Sequence, residues 1–122
     1  MNPLIDINIL IYSAKPEFSY LRSLILSGEN FVSALSLVEV LGYYKLTEED
    51  RNYFDASFHL LTALPISDEV ISKATELRKM YRMKTADAII AATAVIHQLE
   101  LITRNIGDFE SIPLLNVSNP IK

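Results

Sequence analysis

Short apolar runs alternate along this chain with longer segments whose apolar residues recur at helical spacing. The short runs are bounded by turn residues and are too short to fold back as hairpins, so they predict buried strands. Stripes such as Val70, Ala74, Leu77 and Tyr81 predict amphipathic helices between them. The predicted strands cover residues 4–6, 31–34, 63–66, 101–103 and 114–117, and the predicted helices cover residues 8–13, 16–26, 36–44, 47–61, 67–81 and 86–98.

Strands that alternate with helices predict an α/β fold, with a central parallel β-sheet flanked by helices on both faces. No repeat, low-complexity tract or Gly/Pro/Ser linker divides the chain, so we expect one domain over residues 1–122. The helix at 86–98, which Thr85 is expected to cap, is apolar nearly all round and is expected to be buried. Ligands of such sheets bind beyond the carboxyl ends of the strands.

Composition narrows the classes of protein. The chain has no cysteine, which excludes disulfides and thiolate zinc sites. Its apolar start lacks a basic leader, and the longest uncharged apolar run, residues 88–96, is far short of a membrane span, so we expect a soluble cytoplasmic protein.

The charge distribution leaves two interpretations open. A net charge of -4 argues against nucleic acid as a partner, because affinity there comes mostly from cations that neutralise phosphates. However, a basic run occupies residues 73–84, and it predicts either solvated cations at a helix C-terminus or a patch that faces phosphate. The run contains Lys73, Arg78, Lys79, Arg82 and Lys84.

Four acidic residues follow predicted strands or begin predicted helices at the carboxyl edge of the sheet. They are Asp6, Glu39, Asp87 and Asp108. Two carboxylates about 4 Å apart repel by roughly 4 kcal/mol at an effective dielectric constant near 20. A divalent cation relieves that repulsion, and oxygen ligands suit Mg²⁺ or Mn²⁺. The pattern therefore predicts a metal-binding carboxylate cluster.

Each acid also has an ordinary structural explanation. Ser36 and Glu39 fit a capping box, in which Glu39 would only bond a backbone N–H. Asp87 gains from the dipole of the helix that it begins, and Asp108 fits a turn. Asp6 is harder to explain in this way, because it lies within an apolar run without a basic residue nearby in sequence.

Four sequence blocks, taken together in this order and spacing, resemble the PIN-domain ribonucleases, specifically the VapC-like toxins of toxin-antitoxin pairs. The resemblance covers nearly the whole chain. The blocks are residues 4–12 (LIDINILIY), 33–39 (SALSLVE), 84–94 (KTADAIIAATA) and 103–109 (TRNIGDF).

The resemblance implies an endoribonuclease that uses Mg²⁺ or Mn²⁺ to activate water against RNA phosphodiester bonds. It implies that Asp6 and Asp87 are the principal metal ligands and that Glu39 is a third acid that binds metal or orients water. The fourth position of the family falls within residues 105–108, so Asn105 and Asp108 are also catalytic candidates. The family usually forms homodimers and binds a small antitoxin protein, and we expect both here.

The resemblance also implies that Asn8, Ser36 and Thr103 hold the acids in position. Two residues depart from the family pattern. Ile7 stands where relatives often have Thr, which removes a hydroxyl from the edge of the site. Asn105 stands where many relatives have Asp, which lowers the local negative charge.

Several other residues are expected to serve RNA binding or packing. Arg82, Lys84 and Arg104 are expected to flank the RNA, so that their removal weakens binding and flattens its salt dependence. His59 and His97 are expected to be structural, because both are predicted to lie away from the acids. Rings in the middle of the chain predict either a buried core or apolar surface for a partner. These are Tyr43, Tyr44, Tyr53, Phe54 and Phe58.

Two functions of other classes are weighed against this one. A receiver-type phosphoacceptor domain also has a parallel sheet, but it needs an Asp at the end of the third strand, where this chain has Ile66, and a Lys near the fifth. A PIN-like protein that binds RNA or a partner without cleaving it is the other alternative, and Ile7 and Asn105 leave it open.

Overall fold

A five-stranded parallel sheet lies at the centre of the computed structural model, which describes residues 2–122. The strands are β1 (Pro3–Ile5), β2 (Phe31–Ser33), β3 (Thr62–Leu64), β4 (Glu100–Ile102) and β5 (Val117–Ser118). Their order in the sheet is β3-β2-β1-β4-β5, so the first strand of the chain is the central one. Leu4 of β1 pairs with Phe31 on one side and with Leu101 on the other. The predicted parallel sheet is confirmed.

Helices occupy most of the segments between the strands. None of those within residues 2–122 has the length and apolar character needed to cross a bilayer. Two further segments, Pro16–Leu21 and Ile106–Asp108, are 3₁₀ helices. The α-helices are α1 (Ile7–Ser13), α2 (Arg22–Leu26), α3 (Ala34–Leu41), α4 (Glu48–Leu60), α5 (Asp68–Tyr81) and α6 (Thr85–His97).

The hydrophobic core has two halves, one on each face of the sheet. Successive residues of a strand point to opposite faces. Leu4 accordingly packs with α5 and α6, whereas Ile5 packs with residues of α1 to α4. Helix α6 is buried along most of its length, as its apolar sequence predicts. The helices therefore cover both faces, and the carboxyl edge of the sheet stays open between the two layers.

The starts of two helices differ from the sequence prediction. Helix α3 begins at Ala34, because Ser33 is its N-cap and accepts a hydrogen bond from the Leu35 N–H at 3.1 Å. Ser36 lies inside the helix, so the capping-box explanation of Glu39 is wrong. Helix α6 begins at Thr85 itself, so the prediction that Thr85 is the cap is also wrong.

Other element boundaries also differ from the prediction. Strand β3 ends at Leu64. Strand β5 begins at Val117 and not at Leu114, because Leu114 has a φ of 69°, which lies in the left-handed region and outside the β region. The helix predicted at 16–26 is a 3₁₀ helix followed by α2, with non-helical dihedrals at Phe18.

The strand order excludes a receiver-type domain. In that class the order is 2-1-3-4-5, so the third strand lies inside the sheet and presents its acceptor Asp at the switch point. Here β3 is an edge strand and ends at Leu64.

Candidate functional site

The four acids come from four different elements around the carboxyl edge of β1 and its neighbours. Asp6 directly follows the central strand β1. Glu39 lies in α3, which directly follows β2. Asp87 lies in the first turn of α6, and Asp108 ends the 3₁₀ helix after β4. A parallel sheet brings these positions to one edge, as the sequence analysis expected.

Asp6 is buried, and its hydrogen-bond donors within residues 2–122 are uncharged. It is 6% exposed. The Thr103 hydroxyl donates to Asp6 Oδ2 at 2.8 Å, and the Ile7 backbone N–H donates to Oδ1 at 2.8 Å. The Asn8 side-chain amide adds a longer bond of 3.4 Å to Oδ2. Asp6 also serves as the N-cap of α1, so its carboxylate is fixed in place with its charge unpaired.

Thr103 and Asn8 connect the Asp6 carboxylate to the loop after β4. The Thr103 hydroxyl accepts hydrogen bonds from the Asn8 side-chain amide at 3.3 Å and from the Asn105 backbone N–H at 3.1 Å. The Asn8 Oδ1 accepts from the Arg104 backbone N–H at 3.2 Å. Two residues expected to hold the acids in position, Asn8 and Thr103, therefore do contact Asp6. They also fix the backbone of residues 104–105.

Three of the acids have raised pKa values, and their mutual repulsion contributes to each shift. Burial is the largest cause for Asp6, and the negative charges of Asp87 and Asp108 raise its pKa further, against the lowering effect of the Thr103 and Ile7 hydrogen bonds. Glu39 is exposed as a residue, but partial desolvation of its carboxylate, and then the charges of Asp6 and Asp87, raise its pKa. The pKa of Asp87 is raised by burial and by Asp108, and is lowered by Lys84. The four charges therefore share one electrostatic site.

In the part of the chain that the structure describes, no Lys or Arg forms an ion pair with these acids. The ion pair found within residues 2–122 joins Lys73 to Glu76 at 3.5 Å on the surface of α5. Lys84 acts on Asp87 only through its charge. A group of carboxylates with surplus negative charge is the donor set that a hard divalent cation prefers.

The spacing of the acids is looser than that of a finished coordination shell. In the described part of the chain, no three acidic or histidine side chains lie close enough together to hold a metal ion as they stand. Glu39 is exposed on α3, and Asp87 is half-buried. No hydrogen bond within residues 2–122 holds the carboxylate of either residue. The chemistry of the donor set fits a divalent cation, although the acids do not stand at the distances of a complete coordination shell.

A polar pocket of about 310 Å³ adjoins the acids on the side of α5 and α6. Asp87 and Asp108 line it together with Arg82 and Lys84. Arg82 stands in the left-handed region, with a φ of 55°, where it ends α5 and turns the chain toward α6. Two of the cations predicted to face phosphate thus stand next to two of the acids.

Arg104, the third predicted cation, lies apart from that pocket. Its guanidinium stands 5.2 Å from the centre of the Tyr12 ring, on the α1 side of the site. The basic residues therefore flank the acids on two sides and do not form one patch. Asn105 is exposed, and its backbone N–H is the group that contacts Thr103.

Ser36 and the two histidines complete the set of predicted residues. The Ser36 hydroxyl is buried and has no hydrogen-bond partner within residues 2–122, so it does not hold an acid through such a bond there. His59 bonds the Asp55 carbonyl at 2.7 Å on the surface of α4. His97 is at the end of α6, about 15 Å along the helix axis from Asp87.

Some residues that line pockets around the site are not predicted from the sequence. Tyr81 and Ser111 line the polar pocket. The periodicity places Tyr81 in the apolar stripe of its helix, and Ser111 belongs to no motif. A second, apolar pocket of about 200 Å³ adjoins Glu39 on the opposite side and includes Ile11 and Tyr43. The sequence signal for this pocket is Tyr43, an aromatic residue near the end of the helix predicted at 36–44.

Comparisons with known proteins agree on one family. The protein-family model of the PIN domain matches residues 4–113 of this chain. Ribonuclease VapC1 of Rickettsia felis is 32% identical over an alignment of 101 positions, which covers 74% of this chain and 75% of the relative. A toxin-antitoxin complex from Klebsiella pneumoniae contains a chain with 32% identity and a TM-score of 0.79, with 99% of both chains covered. VapBC2 from Rickettsia felis, bound to a DNA fragment from its promoter, matches in fold with a TM-score of 0.81 at 22% identity, with 98% of both chains covered.

Proposed function

Because the chain belongs to the PIN-domain family, we propose that it is a divalent-metal-dependent endoribonuclease and the toxin of a toxin-antitoxin pair. Family membership confirms the resemblance noted in the sequence. The observation that carries the proposal is a group of neighbouring acids whose negative charges raise one another's pKa values. Among the described residues, no Lys or Arg forms an ion pair with them. The ribonuclease relative at 32% identity supports RNA as the substrate.

In this proposal Asp6, Asp87 and Glu39 would hold Mg²⁺ or Mn²⁺, and Asp108 would add negative charge beside them. When bound, such a cation lowers the pKa of a coordinated water and neutralises the charge that develops on phosphate. Glu39, exposed on α3, would also orient the attacking water. Thr103 and Asn8 keep the Asp6 carboxylate in one orientation. No Ser, Cys or His nucleophile is required.

The direct test is cleavage of total cellular RNA by the purified chain with Mg²⁺, with Mn²⁺ and with chelator. We expect discrete fragments with either metal and intact RNA with chelator, because water activation needs the ion. Cleavage that persists in chelator would contradict the proposal. Intact RNA in every lane, with metal bound by the chain, would also contradict it for the RNAs of that pool.

Arg82 and Lys84 are proposed to bind the RNA backbone from the polar pocket. We expect Lys84→Gln to weaken RNA binding about fivefold, and to reduce the slope of log affinity against log salt by about 0.7, the value for one phosphate contact to a single strand. Fluorescence anisotropy over a salt series measures both quantities.

Lys79→Gln is the matched control, because Lys79 belongs to the same basic run and is exposed, but it does not line the pocket. It should leave affinity and slope unchanged. If Lys84→Gln behaves like this control, the basic run is ordinary solvated surface.

The partners and location follow from the same proposal. An antitoxin partner is supported by the 32% identical chain of the Klebsiella pneumoniae toxin-antitoxin complex. Exposed apolar side chains such as Leu26 and Leu60, at the rim of a groove between α2 and α4, support a protein partner of this kind. A homodimer remains part of the proposal, as does a cytoplasmic location, where RNA is available.

A PIN-like protein that binds without cleaving is the second candidate function. Two observations favour it: Asn105 replaces the acid of many relatives, and the acids do not form a closed metal shell within residues 2–122. Calorimetric titration with Mn²⁺ separates the two functions. An enzyme must bind the ion, and binding must disappear in Asp87→Asn, whereas a scaffold without a metal site shows no binding in either protein.

A further inference from the structure

The apolar pocket beside Glu39 has a buried floor and an exposed rim. Val40 of α3 and Phe54 of α4 form the floor, and each is 4% exposed. Ile11 of α1 and Tyr43 stand at the rim, 44% and 52% exposed. These exposed fractions are large for apolar side chains that line a concave surface. Contact with water on the open side of the pocket is unfavourable for such side chains.

Tyr43 is held at this rim by the turn that follows α3. Its N–H donates to the Val40 carbonyl at 3.3 Å, and its carbonyl accepts from the Leu46 N–H at 3.1 Å. The preceding residue is Gly42, where a Cβ would lie 2.5 Å from the Val38 carbonyl oxygen. The two hydrogen bonds hold the backbone of Tyr43. Its ring lies 5.5 Å from the Tyr44 ring, and 52% of the residue is still exposed.

The pocket and the acidic site share one residue, Glu39. This residue lines the pocket and also shares the electrostatic site of Asp6 and Asp87. Ile11 lies one turn after Asn8 on α1, and Asn8 contacts Asp6. The polar pocket with Arg82 and Lys84 lies on the other side, next to Asp87 and Asp108. The acids thus separate a polar, partly cationic pocket from an apolar, aromatic one.

We propose that the apolar pocket receives one nucleobase of an RNA strand that crosses the acids, with its sugar-phosphate backbone at the polar pocket and the base against Tyr43. This inference rests on the proposed ribonuclease function. Single-stranded RNA is recognised largely by bases that splay out and stack on aromatic side chains. The pocket offers an aromatic ring and aliphatic walls, so it binds a base by stacking and shape.

The size of the pocket suits a small group such as one base. Pockets for drug-sized ligands measure about 300 to 1,000 Å³. The pocket volume of about 200 Å³ lies below that range. Its contact with Glu39 places any base in it next to the phosphodiester at the acids.

The test uses an octaribonucleotide of uridine, whose neighbouring bases stack only weakly in the free strand, with one 2-aminopurine at a position that differs from one probe to the next. The fluorescence of 2-aminopurine falls when the base stacks, and the chain has no tryptophan to interfere. Binding is measured with Mn²⁺ for the unmodified chain, Tyr43→Ala, Tyr43→Leu, Tyr43→Phe and Tyr20→Ala. Tyr20 is the matched control, a surface tyrosine that lines neither pocket. A gel checks that each probe stays intact, and thermal melts with and without Mn²⁺ check fold and metal binding.

We expect one probe position to be quenched by the unmodified chain, by Tyr43→Phe and by Tyr20→Ala. In Tyr43→Ala and Tyr43→Leu the quench disappears and the dissociation constant rises about tenfold, since stacking on one aromatic ring contributes at this level. The melting shift with Mn²⁺ stays the same in all five proteins.

Two results would overturn the inference. If the quench and the affinity are unchanged in Tyr43→Ala and Tyr43→Leu while the unmodified chain cuts RNA, the base pocket is rejected and the proposed ribonuclease function stands. The apolar pocket would then belong to a protein partner. If the unmodified chain binds Mn²⁺ but neither binds the probes nor cuts RNA, the inference falls together with the proposed function.

Discussion

Asp87→Asn is expected to reduce RNA cleavage by about a hundredfold or more while the fold stays intact. Loss of a residue that merely supports a metal ligand typically costs ten- to a hundredfold, so loss of the ligand itself costs at least as much. Asn has the same shape as Asp, and the Asp87 carboxylate makes no hydrogen bond to residues 2–122 that the change would break. Cleavage assays with Mg²⁺ and Mn²⁺ measure the loss.

The same variant separates metal binding from folding. For the unmodified chain, Mn²⁺ at a hundred times its dissociation constant should add about 2.7 kcal/mol to the free energy of unfolding. Asp87→Asn should lose most of this gain. Thermal or urea unfolding with and without Mn²⁺ measures the difference.

Without metal, Asp87→Asn should be slightly more stable than the unmodified chain at neutral pH. Burial and the Asp108 charge raise the pKa of Asp87 in the folded state above its ordinary value of 3.8, so its ionised form destabilises the fold. The favourable position in the first turn of α6 reduces this effect. The difference in the free energy of unfolding between the two proteins is complete at pH values above the raised pKa of Asp87. It disappears as the pH falls below 3.8.

Asp68→Asn is the matched control, because Asp68 also lies in the first turn of a helix, α5, but away from the acids. It should leave cleavage and the stabilisation by Mn²⁺ unchanged. Chelator-sensitive cleavage that survives in Asp87→Asn would show that the catalytic site lies elsewhere or that the activity belongs to a contaminant.

The layout of the acids could be predicted because it depends only on a parallel sheet and on the alternation of strands and helices along the chain. Asp6 interrupts an apolar run at the point where β1 ends, and parallel strands bring the residues just beyond their carboxyl ends to one edge. The same logic placed Asp87 and Asp108, which flank β4. Long periodic segments such as α5 and α6 were predicted to within a residue or two, because their periodicity is strong.

The supporting contacts could not be read from the sequence, because they join residues almost the whole chain apart. The bonds from Thr103 to Asp6 and from Arg104 to Asn8 depend on the pairing of β1 with β4. Local signals also misled. Ser36 with Glu39 matches a capping box better than Ser33 does, yet β2 ends at Ser33, and the chain must turn into α3 there.

Thr103→Val should destabilise the chain by about 1.5 to 3 kcal/mol and weaken Mn²⁺ binding by about ten- to a hundredfold. Thr103 is fully buried, and its hydroxyl is the closest side-chain donor to the Asp6 carboxylate. Valine leaves a buried carboxylate with one donor fewer and the Asn105 N–H without its acceptor. The weaker metal affinity results because Asp6 loses its fixed orientation. Urea unfolding and calorimetry measure the two effects.

The loss of stability in Thr103→Val has a pH dependence with a definite sign. The Thr103 bond lowers a pKa that burial raises, so without it the pKa of Asp6 rises further. The destabilisation is full at neutral pH, and it shrinks as the pH falls through that higher pKa, because a neutral carboxyl needs the donor less.

Thr93→Val is the matched control. Thr93 is equally buried, but its hydroxyl only bonds the Ile89 carbonyl within α6. Its loss should cost under about 1 kcal/mol, with metal affinity unchanged. Equal effects of the two changes would show that Thr103 acts through packing and not through Asp6.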